Sequence, residues 1–381
     1  MASTARIEVK GENPLTSLQG FFRTLLEHGE VNAILVAQHL PMKNTVMPTL
    51  VTDPARLDGA DPLAPVFPIN AAKVVSKLTR KPLGGKVAVV LRPCEIRAFI
   101  ELVKLKQAST EDVFLVGMDC LGAYSNVHYP RLAGENGSEA TLRFYENVMA
   151  GKGTVWEDFD LSPACKACEH PIPENGDLLI GLVGVNINEE LLIKANTPEG
   201  ETLLDRLGLP VASEPAGRGE AVDALVAQRV AYRDQMFQET SEATADLNKL
   251  AAYLGNCVNC YNCRVACPVC YCRECVFVTD VFDHEPSQYL RWAQRKGILK
   301  LPTDTIFYHI TRLAHMSTAC IGCGQCSNAC PNNVPVMELF RTISSGTQRA
   351  FAYEAGRSLE EEPPLSVFRE KEFSEVTGGK D

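Results

Sequence analysis

The sequence predicts two architectures in one chain: a layered α/β (α+β) domain over residues 1–217, and a mainly α-helical, cysteine-bound domain over residues 253–345. Three observations predict this. Strand-length apolar runs alternate with helical runs through the first half. A polar helical stretch, 218–252, then acts as a connector. Beyond it, eight cysteines recur as two identical runs, Cys257-x2-Cys260-x2-Cys263-x3-Cys267-Pro268 and Cys320-x2-Cys323-x2-Cys326-x3-Cys330-Pro331. Residues 346–381, rich in Pro and Glu, read as an extended tail that lies on a partner.

The elements follow in order. Residues 15–28 place Leu15, Leu18, Phe22, Leu25 and Leu26 on one helical face, with Gly29 as the stop. Residues 32–37 (NAILVA) form a buried strand. Residues 71–79 form a short helix capped by Asn70. KVAVVL (86–91) is a strand that passes through Arg92-Pro93 into a helix, and VFLVGM (113–118) and DLLIGLVGV (177–185) are further strands. In the second half, helices are expected at 286–296, at 304–316 and after Pro331. The 52 residues between Cys267 and Cys320 make this the mainly helical kind of dicluster module.

The paired runs carry the chemistry. C-x2-C-x2-C-x3-C-P is the spacing of a two-cluster ferredoxin, in which three thiolates of one loop hold a [4Fe-4S] cubane and the fourth reaches across to the other cluster. Cys257, Cys260, Cys263 and Cys330 are therefore assigned to one cluster, and Cys320, Cys323, Cys326 and Cys267 to the second. Zinc bound by CxxC pairs is the competing reading, but zinc needs neither eight cysteines nor two identical four-part runs.

Seven cysteines remain of the fifteen. Cys94 and Cys120 each follow a strand, and Cys165-x2-Cys168 lies in a loop. Two neighbouring strand ends and one CxxC loop can enclose a third cubane, and Cys94 behind Pro93 sits at a helix N-terminus, which favours an anion. Buried structural cysteines are the alternative. Cys270, Cys272 and Cys275 (PVCYCREC) can hold a fourth cluster only with another ligand, such as a carboxylate, His284 or a neighbouring subunit. Alternatively they are spare thiols beside a cluster, or one of them replaces Cys267.

Composition sets limits. The chain has 381 residues, 45% hydrophobic and 22% charged, as in an ordinary globular protein of two or three domains. A net charge of −10 argues against a nucleic-acid partner. No apolar run reaches transmembrane length, and the N-terminus has no secretory signal. Many free cysteines then fit a reducing cytoplasm. There is no GxGxxG and no Walker sequence.

Several segments carry a resemblance: NPLTSLQGFFRTLLEHGEVNAILV, KVAVVLRPCEIRA, VFLVGMDC and SPACKACEHPIPENGDLLIGLVG. Over residues 13–210 the chain resembles the beta subunit family of coenzyme F-420 (deazaflavin) hydrogenases and dehydrogenases, including formate dehydrogenases. Its C-terminal module is similar to dicluster domains fused to such subunits or serving heterodisulfide reductases. The resemblance implies FAD beside a [4Fe-4S] cluster held by Cys94, Cys120, Cys165 and Cys168. A flavin can take a hydride's two electrons and release them singly to clusters. The implied role is an electron-transfer subunit of an anaerobic complex. Its hydride carrier would be coenzyme F-420 or NAD(P)H, and its partners a formate dehydrogenase or hydrogenase catalytic subunit, or heterodisulfide-reductase-like subunits.

Candidate flavin contacts are Thr16 and Ser17 before the first helix, Asn44 and Thr45 in a polar loop, and Asn70 with Lys73 at the second helix. Leu15-Thr16-Ser17 stands where the family has Gly-Gly, and FPINAAK where it has an aromatic Lys-Tyr element. A polyferredoxin adaptor without flavin is therefore one rival reading. A stand-alone ferredoxin-dependent flavin reductase of an organic substrate is the other. Tyr124, His128 and His170 read as loop residues near the first cluster rather than as catalytic acids.

Overall fold

A computed structural model describes residues 4–42, 44–272, 274–279, 285–296 and 302–367. Its first half is built on one seven-stranded mixed sheet of β1 (Thr4–Glu8), β2 (Ala33–His39), β3 (Val46–Val51), β4 (Val87–Leu91), β5 (Val113–Met118), β6 (Leu178–Gly181) and β7 (Glu190–Ala195). The order is β1-β7-β6-β5-β4-β2-β3. The four central strands β2, β4, β5 and β6 are parallel, and β1, β7 and β3 add antiparallel edges. The first-half helices are α1 (Pro14–Glu27), α2 (Ala72–Leu78), α3 (Pro93–Lys104), α4 (Tyr129–Ala133), α5 (Gly137–Met149), α6 (Pro163–Lys166) and α7 (Pro198–Leu207).

The strand period decides which face each residue meets. Ile34, Val36, Ala88, Val90, Phe114 and Val116 pack with α1 and α5 on one face. Their alternates Ala33, Leu35, Val87, Val89 and Leu91 pack with α2 and α3 on the other. Both faces are covered, which is why these strands read as continuous apolar runs. In α1, Asn13 caps the helix by accepting from Thr16 N at 3.0 Å. Phe21 is buried on its inner face, and the expected Leu26 is only half-buried.

One expectation is corrected. The run 177–185 leaves the sheet after Gly181. The amides of Leu182 and Val183 donate to the buried carboxylate of Asp119 at 2.8 and 3.0 Å, not to a strand. Gly184, at φ +70°, then lets the helix that begins at Arg218 approach, since a Cβ there would meet Arg218 Cα at 2.7 Å. The polar loop of Asn44 and Thr45 is the tight turn of the β2–β3 hairpin, closed by Leu40 N donating to Thr45 O at 3.0 Å. Pro48 hides β3 from a sequence reading, and it is tolerated because β3 is an edge strand.

The second half is helical: α8 (Arg218–Ala243), α9 (Leu247–Tyr253), α10 (Asn262–Ala266), α11 (Pro286–Lys296), α12 (Pro302–Met316), α13 (Gln325–Asn328) and α14 (Val336–Ala350). Helix α8 packs against α14 and α6 and buries Arg229, Met236 and Thr240. Helix α14 runs into the stretch expected to be extended, and residues 351–357 then fold back onto α3. There Glu101 accepts from Tyr353 Oη at 2.6 Å, from Gly356 N at 2.7 Å and from Lys104 Nζ at 2.7 Å. The last part of the tail, 368–381, lies outside the described residues. Among the described residues, no helix is long and apolar enough to cross a membrane.

Candidate metal centres

The parallel pairing of β4 with β5 sets their C-terminal ends side by side. Cys94 enters the first turn of α3, and Cys120 follows β5 with its amide on Pro171 O at 2.8 Å. Cys165 lies in α6 and Cys168 just beyond it, its amide on Cys165 O at 3.3 Å. These four thiols converge. Cys94 faces Cys120 and Cys168, and Cys120 faces Cys165 and Cys168. Burial pushes the Cys120 thiol up to about 11 against the pull of Arg92, and it lifts Cys94 well above the ordinary thiol value. Cys94, Cys120 and Cys165, whose ionisation is opposed by burial, suit a group whose irons supply the compensating charge. Arg92 and Arg229 add positive charge, and Arg229 Nη2 donates to Cys120 O at 3.2 Å.

The eight ferredoxin cysteines sort as two sets, crossed between the runs. Cys257 lies near Cys263, Cys330 and Cys260, and these four line one cavity with Tyr308 and His309. Cys326 faces Cys267, Cys323 and Cys320. The two loops share one backbone recipe. Asn259 and Tyr261 in the first run, and Gly322 and Gly324 in the second, occupy matching positions with positive φ of 52°, 60°, 71° and 78°. A chain that wraps three sulfurs round one centre turns left-handed at those two points.

Helix α12, between the runs, supplies polar groups to the first set. His309 Nε2 lies 3.4 Å from Cys257 Sγ, Tyr308 Oη lies 3.4 Å from Cys263 Sγ, and Arg312 Nη1 donates to Cys263 Sγ at 3.2 Å. Sequence reading missed all three, because nothing in their spacing ties them to a cysteine. Among the described residues, no three or more His, Cys, Asp or Glu side chains come close enough to hold a single metal ion. A cubane spreads its four thiolates more widely than one ion does.

The second set abuts the first domain. Cys94 faces Cys323, Gln325 Nε2 donates to Phe67 O at 2.7 Å, and Gly324 lies so near Ala164 that an added Cβ would meet its Cβ at 2.4 Å. The three four-cysteine sets thus lie in sequence: Cys94/Cys120/Cys165/Cys168, then Cys267/Cys320/Cys323/Cys326, then Cys257/Cys260/Cys263/Cys330.

Of Cys270, Cys272 and Cys275, Cys270 has Cys272 near it. Cys270 lies beside Cys267 and its thiol is pushed up to about 11 by burial, then by the Cys267 charge. Cys272 is exposed and Cys275 half-buried. His284 lies outside the described residues.

The six flavin candidates do not share one place. Thr16 and Ser17 lie in the first turn of α1, where Ser17 Oγ accepts from Lys10 N at 3.4 Å. Asn44 and Thr45 lie in the hairpin turn. Asn70 and Lys73 turn toward the dicluster. The Asn70 side chain lies near the Cys323 thiol and accepts from Ala72 N at 3.1 Å, while Lys73 Nζ donates to Val265 O and lies near Cys267 and Cys270. A small cavity opens at the C-terminal ends of β2, β4 and β5, and none of the six lines it. Its polar wall is Arg92 and Glu95, with Phe67 and Met118 among the apolar lining. Arg92 Nη2 is held by Ala64 O and Val66 O at 2.5 and 2.8 Å, and its buried Nη1 has no partner. The Arg92-Pro93 step at a strand end was the available signal for it. Tyr124 donates to Thr154 O at 2.5 Å, His128 stacks on Phe159, and His170 is lowered to about 3 by burial, then by Arg97 and Arg233.

Fold and cysteines together define a protein whose α/β sheet domain packs against a 4Fe-4S dicluster domain. Residues 84–208 match the family that comprises the C terminus of the beta subunit of coenzyme F420 hydrogenase/dehydrogenase, and residues 253–334 match the 4Fe-4S dicluster domain. The chain carries the C-terminal domain of that beta-subunit family followed by a dicluster domain. It is 24% identical over 380 residues to the F420-dependent formate dehydrogenase subunit beta of Methanocaldococcus jannaschii, covering 92% of this chain and 93% of the relative. It is 25% identical over 404 residues to F420-dependent formate dehydrogenase 1 subunit beta of Methanococcus maripaludis, covering 96% of each. A chain of the F420-reducing [NiFe] hydrogenase complex of Methanosarcina barkeri aligns at 15% identity with a TM-score of 0.46, covering 65% of this chain and 94% of that one.

Proposed function

We propose that this protein is the electron-transfer beta subunit of an F420-linked formate dehydrogenase or hydrogenase complex, with three [4Fe-4S] clusters on the three cysteine sets. The supporting observation is the unbroken order of those sets, with Cys94 facing Cys323 across the domain boundary. Electrons would enter or leave at the sheet domain and pass singly through the Cys320 set to the Cys257 set. Each cluster would supply one-electron chemistry; the chain's own part is to fix the sulfurs, bury them and set the charge around them.

FAD is proposed at the cavity beside β2, β4 and β5. Arg92, whose Nη1 is unpartnered, would help hold the flavin there, and Cys94 and Cys120 lie near the same arginine. The partner redox subunits would carry the terminal catalysis. A flavin-free adaptor is the second reading, favoured by the scatter of the six expected flavin contacts.

Anaerobic isolation of the native complex with cofactor analysis tests both readings. About twelve irons per chain, four for each cubane, and one extractable flavin are expected. Colourless, iron-free material would end the proposal, and full iron without flavin would establish the adaptor.

A further inference from the structure

Arg312 is a buried cation held among sulfur atoms. It is 3% exposed. Nη1 donates to Cys263 Sγ and Nη2 to Cys263 O, both at 3.2 Å. Its guanidinium stands 4.6 Å from the Phe340 ring centroid and 5.5 Å from that of Tyr308, and its buried Nε has no partner. The groups it faces come from both runs: Cys263 in the first set, and Cys267, Cys320 and Cys326 in the second. A buried guanidinium is costly without compensating negative charge. Here that charge comes from thiolates, so the arginine and the two cysteine sets complete one another.

We propose that Arg312 sets the reduction potentials of the dicluster, favouring the reduced state of both clusters and most strongly that of the Cys257/Cys260/Cys263/Cys330 cluster. The proposal rests on the cluster assignment above. A bound cluster would take one electron from the neighbouring redox group, gaining one negative charge and no proton. A fixed, desolvated positive charge stabilises the added electron, and hydrogen bonds to the sulfurs act in the same direction. The Cys257 set has the direct N–H···S bond and the neighbouring Tyr308 and His309, whereas the Cys320 set has the Arg312 charge without that bond. Electrons arriving through the sheet domain therefore come to rest on the Cys257 set, poised for the next acceptor.

The test is a redox titration of the full, cluster-loaded chain followed by electron paramagnetic resonance, with signals assigned by comparison with Cys323→Ser. Arg312→Gln should reduce the reduced-to-oxidised ratio of the Cys257-set signal about tenfold at fixed potential, about 59 mV for one electron. The shift on the other dicluster signal should be smaller. Arg312→Lys keeps the charge and should recover much of the ratio. Unchanged potentials in Arg312→Gln at full iron content would overturn the proposal, as would a lysine variant no better than glutamine. If Arg312→Gln does not retain its iron, His309→Leu and Tyr308→Phe decide the matter. Each should lower the Cys257-set ratio alone by about threefold, and no shift in either overturns the proposal. An iron-poor wild-type chain would instead defeat the cluster assignment itself.

Discussion

The sheet domain and the dicluster domain are held together by different physics. In the sheet domain, Leu18, Phe22, Ile34, Phe99, Phe114 and Phe144 are fully buried around a continuous ladder of strands. In the dicluster domain, Leu254, Val269, Phe277, Tyr308, Val336 and Phe340 share one small core with Cys263 and with the half-buried Cys257, Cys267, Cys320, Cys326 and Cys330. Apolar burial alone can specify the first domain. The second places its sulfurs where hydrocarbon would otherwise stand, so metal binding and folding are coupled there.

Iron removal is the strongest test of that contrast. Chelation under reducing conditions should open residues 253–345 to hydrogen exchange and proteolysis while the β4 and β5 amides stay protected; equal loss in both regions would erase the distinction. Cys323→Ser should come next, removing about four irons per chain and leaving the Cys94 set loaded. Unchanged iron would show the wrong ligand. Phe22→Ala, read by thermal or denaturant melting, should cost the sheet domain about 3–5 kcal/mol without changing iron content. Glu101→Ala should be comparable, at about 3–5 kcal/mol, because it leaves Lys104 buried without its carboxylate and loosens the 351–357 strap from α3. Its diagnostic sign is increased exchange at residues 351–357. Gly324→Ala should be smallest, about 1–3 kcal/mol. Its left-handed backbone and contact with Ala164 predict a loosened domain seam, visible as slower electron transfer between the Cys94 and Cys320 sets.

How much was legible follows the range of each interaction. Helix α1, the β4–Pro93–α3 turn and β5 are written in short periodic runs, and the structure has them within a few residues. β1 and β7 form one antiparallel edge from the two ends of the domain, and no short pattern announces such a pairing. The early end of β6 depends on Asp119, more than sixty residues away in sequence, taking its amides. Asn70 and Lys73 look like phosphate-binding cap residues when α2 is read alone. They face sulfur once the second domain is in place.

Cysteine spacing by itself determined the chemistry: three thiols at two-residue intervals and a fourth before proline have few uses, and the geometry of one small loop enforces that spacing. What the tertiary structure alone decided is the electrical surroundings of those sulfurs. It set Arg92 in a cavity wall and near Cys94 and Cys120, and it threaded α12 so that Arg312 lies near thiols of both runs. Ligand spacing is a property of neighbouring residues. A charge acts through space on whatever the fold brings near it, and only the packed chain fixes that distance.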